Sequence, residues 1–148
     1  MYATLDYLKT LLPESLLLAL CDDDGDGAFI TTPPNGATRT MLAAITAADI
    51  VINGHLSGRY TVPITGTVPA IVEQISGNLA ICNLYHRKRE SDVPEGIADR
   101  RRESMKLLEG IKAEKIDILE LDKTTPSAFV TSSASADRMF PDSLLEAY

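Results

Sequence analysis

TRTMLAAITAADIVINGHL, residues 38–56, decides the fold class. Met41, Ile45, Ala48, Ile52 and Leu56 recur at the spacing that lines one face of an α-helix. The pattern predicts a long helix from about Thr38 to His55, with Gly54 and Gly58 flanking its end. Beyond it, Arg59-Tyr60-Thr61-Val62-Pro63 reads as extended, because a proline pushes the preceding residue out of helical geometry. After a turn at Gly66, Val68, Ile71, Val72, Ile75, Leu79, Cys82 and His86 trace a second long amphipathic helix. Asp92-Val93-Pro94 breaks that helix. Pro94 or Glu95 opens a third, with Ile97, Met105, Leu108 and Ile111 facing inward. Upstream, Thr4 caps a short helix reaching Leu12, with Leu5, Leu8 and Leu12 on one side. Pro13 suits the first turn of another short helix carrying Leu16, Leu17 and Leu20. Strand-like alternation is almost absent. The expected fold is all-α: three main antiparallel helices, two short N-terminal helices and an extended C-terminal arm.

A chain of 148 residues can build one core without disulfide or metal staples. Its hydrophobic content of 45% and charged content of 24% are those of a soluble globular protein. Aromatic residues make up 5% with no Trp, which leaves little platform for stacking bases. The net charge of −7 disfavours adhesion to phosphate backbones while permitting DNA to pass. Cys21 and Cys82 stand far apart in apolar surroundings and read as free buried thiols. The N-terminus lacks a basic region, and Pro13, Glu14 and Ser15 interrupt its apolar run, so neither a secretion signal nor a membrane span is expected. Charge is uneven: residues 1–36 hold six acids and one base, whereas nine bases and seven acids lie between His86 and Lys115. Two faces of opposite tendency favour head-to-tail contacts between copies, although a solvated helix face accounts for the same charges.

Asp22-Asp23-Asp24-Gly25-Asp26-Gly27 is the densest group of chemically active side chains. Asp22, Asp24 and Asp26, followed by Gly27, match the first half of a calcium loop. The bidentate glutamate due at the twelfth position is replaced by Pro33, and the ninth is Ile30. The other reading is a glycine-rich turn whose aspartates accept bonds from backbone N–H groups. His55, His86, Cys21 and Cys82 lack the paired spacing of a zinc site. Neither a nucleophile–base motif nor a phosphate-cradling loop appears, so an enzyme is not expected. Arg100, Arg101 and Arg102 are flanked by Asp99 and Glu103, which favours intrahelical or intersubunit ion pairs over nucleic-acid contacts. Arg59 and Tyr60 can fix the connection to the next helix by hydrogen-bonding carbonyls, or serve as an interface anchor.

From about Lys123 the composition changes. A polar Thr/Ser/Ala stretch reads as a flexible spacer, and Met139, Phe140, Leu144, Leu145 and Tyr148 restore apolar side chains at its end. The expected organisation is a helical domain over 1–122 and an arm over 123–148. Phe140, Leu144 and Leu145 are its anchor, either on a partner subunit or on the arm's own domain.

Several stretches in fixed order resemble the Mu-like phage and prophage neck proteins. They are Tyr2-Ala3-Thr4-Leu5-Asp6-Tyr7-Leu8, the acidic loop, His55-Leu56-Ser57-Gly58-Arg59-Tyr60-Thr61-Val62-Pro63, Leu84-Tyr85-His86-Arg87, and Asp137-Arg138-Met139-Phe140-Pro141-Asp142-Ser143-Leu144. This chain departs from that pattern with Asn53 and His55, where an Asp and an aromatic are usual, and with a long insert from Phe29 to Ala37. The resemblance implies an α-helical head–tail connector of the head-completion adaptor type. Such a subunit joins a homo-oligomeric, commonly dodecameric, ring around the DNA channel. The implied partners are the portal protein above and stopper or tail-completion proteins below. The implied location is the virion neck, with the host cytoplasm before assembly. No cofactor is implied, calcium at the acidic loop being optional. The competing reading is a small calcium-responsive helical binding module built on Asp22–Gly27.

Overall fold

A computed structural model of the chain describes residues 1–88 and 92–123. These form five helices: α1 (Leu5–Leu11), α2 (Glu14–Cys21), α3 (Gly36–Leu56), α4 (Ala70–Arg87) and α5 (Glu95–Lys112). Each start has a local cause. Thr4 Oγ1 accepts from Tyr7 N at 3.1 Å and caps α1. Asn35 Oδ1 accepts from Thr38 N at 3.1 Å and caps α3, so that helix begins two residues before the expected Thr38. Pro13, Pro69 and Pro94 immediately precede α2, α4 and α5. A proline there needs no N–H of its own, and its fixed φ presents its carbonyl to the first free amides. Pro69 O, for example, accepts from Val72 N at 2.9 Å and Glu73 N at 3.1 Å. Helix α4 thus starts after Pro69, and Val68, expected inside it, packs on the core from outside.

The three long helices run up, down and up. Ser76 Oγ donates to Asp49 Oδ1 at 2.7 Å, and Asn83 Nδ2 donates to the Ala44 carbonyl at 3.4 Å. Rising numbers on α4 meet falling numbers on α3, so the two are antiparallel. Asn78 with Ser104 and Cys82 with Arg101 give the same sense for α4 against α5. All five α3 positions picked out by periodicity are fully buried.

Helix α4 differs from the amphipathic helix its sequence suggests. Val72, Ile75, Leu79, Ile81, Cys82, Leu84 and Tyr85 are buried, as are the small or polar Ser76, Gly77, Asn78 and Ala80. It packs against each of the other four helices and is the central rod of the fold. His86, read as part of its inward stripe, is exposed. Gly77 lets α1 approach closely: a Cβ there would lie 2.8 Å from Tyr7 Cε1 and 2.9 Å from Leu11 Cδ1. Leu16, expected inside α2, is 37% exposed, while Leu17 and Leu20 are buried.

The N-terminus is pinned through a buried carboxylate. Asp49, on the middle of α3, accepts from Tyr2 N at 3.0 Å and from Ser76 Oγ. The Tyr2 hydroxyl donates to Asn53 Oδ1 and accepts from Ile64 N at 3.0 Å. One residue therefore ties the chain start to α3 and to the loop before α4.

Candidate functional site

Two polar clusters dominate the described surface. The first is the acidic loop after α2. Asp22 Oδ1 accepts from Gly25 N at 2.9 Å and Asp26 N at 3.2 Å, and its Oδ2 accepts from Gly27 N at 2.8 Å. Gly25 and Gly27 take left-handed backbone, φ +81 and +68, which brings these amides round to one carboxylate. The bonds, led by that from Gly27, hold the Asp22 carboxyl below the usual aspartate range.

The other aspartates of the loop turn elsewhere. Asp23 forms a bidentate pair with Arg87 at the end of α4, at 2.6 and 2.9 Å. That hydrogen-bonded guanidinium lowers the Asp23 pKa. Arg87 also donates to the Leu20 carbonyl at 2.8 Å and so closes the end of α2. Asp24 lies against Gly36, at the start of α3. Asp26 Oδ2 accepts from Asn35 Nδ2 at 3.1 Å. Asn35 is the hub, since it also donates to Ala28 O at 2.7 Å and accepts from Ile30 N at 3.2 Å. Asp22, Asp24 and Asp26, the calcium-type positions, thus face separate partners. Among the described residues, no three His, Cys, Asp or Glu side chains are grouped as a metal site.

The second cluster closes the opposite end of the bundle. Arg59, just past α3, donates to the carbonyls of Ile111 at 2.9 Å and Ile116 at 2.8 Å, and to Asp117 Oδ1 at 2.6 Å. The Tyr60 hydroxyl donates to the same Asp117 oxygen at 2.7 Å and accepts from Ile118 N at 2.9 Å. Lys123 Nζ donates to Asp117 Oδ2 at 2.7 Å. Lys123, then Tyr60, lowers the Asp117 pKa. Of the two residues read as carbonyl ligands, Arg59 binds carbonyls, at the end of α5 and just beyond it rather than in the connection to α4, whereas Tyr60 binds a carboxylate and an amide. Tyr60 is 1% exposed, so its ring is committed to its own subunit and is not a free interface anchor.

No curated protein matches the chain. Residues 2–135 match the family described as Bacteriophage Mu, Gp36. The chain belongs to that family. It is therefore a Mu-like phage protein, and both clusters fall within the matched span of this Gp36-family chain.

The remaining candidate residues divide by surface. Arg102 pairs with Asp99 at 2.5 Å along α5, the intrahelical alternative read from the sequence. Arg101 is half-buried and donates to Cys82 Sγ at 3.8 Å, whereas Arg100 is exposed. Phe140, Leu144 and Leu145 lie outside the described residues, as does the arm beyond Lys123. Two groups escaped sequence reasoning. Asp49 carried a signal, being a charge between Ile45 and Ile52 on an otherwise apolar face. Asp117 carried none, because Arg59 and Tyr60 lie more than fifty residues away and nothing singled out Lys123, six residues on.

Cys21 and Cys82 are free and buried. Burial is the main cause that pushes the Cys21 thiol up to about 11.

Proposed function

We propose that this phage protein is a structural subunit of virion morphogenesis: a head–tail connector of the adaptor type that joins a homo-oligomeric, dodecameric ring. The ring sits between portal and tail-completion proteins and encircles the DNA channel. The observation that carries the reading is the match of residues 2–135 to the Mu Gp36 family. The geometry is consistent with it. The strongest polar groups brace the body: Arg59 with Asp117 holds the end of α5, and Arg87 with Asp23 joins α4 to the loop after α2. Their engagement yields a stiff subunit, as suits a part that is stacked rather than one that turns over substrate. The net charge of −7 gives DNA little to adhere to, so passage through the lumen needs no specific contact. No enzymatic role and no cofactor are assigned. The subunit acts in the virion neck after synthesis in the host cytoplasm.

Mixing the protein with its cognate portal and sizing the product by light scattering and electron microscopy tests the reading. Portal-bound rings are expected even if the free protein is monomeric. A chain that neither binds portal nor forms rings on it sinks the proposal. A calcium-responsive role for the 22–27 loop would use the acceptor capacity that Asp22 retains beside its three backbone N–H donors. Micromolar calcium affinity with a folding change, measured by calorimetric titration and circular dichroism, would favour that role.

A further inference from the structure

Between Ala43 and Gly54 the exposed positions of α3 are Ala43, Thr46, Ala47, Ile50, Val51 and Gly54. None is charged, and Ile50 is 65% and Val51 39% exposed. A helix face left to water ordinarily carries charged and polar groups, and an uncharged face centred on adjacent aliphatic residues marks a contact. Its size limits the occupant. At 1.5 Å rise and a width of some 10 Å, the face covers on the order of 200 Å². A stable complex of two copies buries roughly 800 Å² on each partner, so this face alone is too small for one. It suits a single short segment.

The chain supplies one. Lys123 forms an isolated antiparallel bridge with Tyr60, and Thr61 N donates to Asp122 O at 3.3 Å. The chain therefore passes Lys123 beside the C-terminal end of α3. Val51 lies five residues before Leu56, the last residue of α3, about 7.5 Å along the helix axis, and Tyr60 follows four residues later. Residues 124–138, rich in Ser, Thr and Ala, supply fifteen residues, and a coil of that length spans roughly 20 Å. That length covers the distance and sets a millimolar effective concentration within one subunit. Beyond the spacer come Met139, Phe140, Leu144, Leu145 and Tyr148, the side chains an uncharged aliphatic face would take. A second apolar surface, an open groove of about 460 Å³ along Leu107 and Ile116, is flanked by the charged Glu103 and Lys106 and fits less well.

We infer that residues 139–148 fold back onto the Ile50–Val51 face of α3 in the same subunit. The contact belongs to the free protein, whether or not it later assembles into rings. Thiol crosslinking in the full chain tests it, because native Cys21 and Cys82 are buried. A variant carrying Val51→Cys and Leu145→Cys, oxidised at low micromolar concentration, is expected to form an intramolecular crosslink. It should do so at least tenfold faster than a Leu107→Cys, Leu145→Cys variant. Adding Ile50→Asp to the first pair is expected to slow the reaction about tenfold while the helical circular dichroism stays unchanged. Equal or reversed rates for the two pairs, crosslinks formed only between chains, or indifference to Ile50→Asp would overturn the inference.

Discussion

Replacing Asp49 with alanine is expected to release the N-terminus and loosen α3 from α4. The carboxylate is 8% exposed, and its donors Tyr2 and Ser76 are 4% and 0% exposed. The substitution strands the backbone N–H of Tyr2, bonded at 3.0 Å, and the hydroxyl of Ser76, bonded at 2.7 Å. A hydrogen bond to a charged acceptor contributes about 1.5–3 kcal/mol, so the two together represent about 3–6 kcal/mol. Part of this returns, because the variant no longer keeps a carboxylate out of water, leaving a net loss of about 3 kcal/mol. For a domain of this size that lowers Tm by about 6–12 °C. Thermal and urea unfolding followed by circular dichroism reads the loss, and Ser76→Ala completes a double-mutant cycle. A coupling energy of about 1 kcal/mol or more is expected, since the two side chains touch. If Asp49→Ala costs under about 1 kcal/mol, or if the two substitutions are simply additive, Asp49 is not the pin described.

Tyr60→Phe removes the group that accepts from Ile118 N and is expected to cost about 1–3 kcal/mol in urea unfolding, since a buried amide loses its partner. An unchanged midpoint would show that the segment after α5 is held by other means. Asp22, Asp23 and Asp117 all have carboxyl pKa values below the ordinary aspartate value. Folded-state pKa values depressed in this way contribute stability that is present above the unfolded value, about 4, and lost as pH falls through the folded values. The urea midpoint is thus expected to fall as pH is lowered below about 4–5, with a shallower slope in Asp22→Asn, Asp23→Asn and Asp117→Asn variants. A slope identical in all of them would contradict the assignment. Cys21 works in the opposite window: its folded pKa, about 11, lies above the unfolded thiol's. The unfolded chain ionises first, so stability is full at neutral pH and declines as pH rises from ~8.5. Slow reaction with a thiol reagent at pH 8, rising only with denaturant, is the corresponding chemical signature.

Much of this fold was legible because its long helices carry strong period. Met41, Ile45, Ala48, Ile52 and Leu56 report a single buried face, and all five proved buried. The breadth of α4's burial was less legible, since Ser76, Gly77 and Asn78 read as polar or neutral when counted one by one. They are inside because small side chains let α1, α3 and α5 close around the rod, which is a tertiary fact. The clusters show the same division. The glycines and aspartates of residues 22–27 announce a turn, and the turn is there. Which carboxylate faces which donor depends on Arg87 and Asn35, set by folding rather than by neighbouring sequence. Arg59 could be recognised as a carbonyl ligand, but Ile111 and Ile116 could not be named as its targets.

The central position of α4 also orders events during synthesis. Helices α1, α2 and α3 are all made before Ala70, the first residue of the rod they share. As they leave the ribosome, α2 and the chain start can meet α3, but the apolar surface that all three share with α4 has nothing to close upon. Compaction therefore waits for the stretch up to Arg87. In a host cell making many copies at once, that interval is when nascent chains are most exposed to one another and to chaperones.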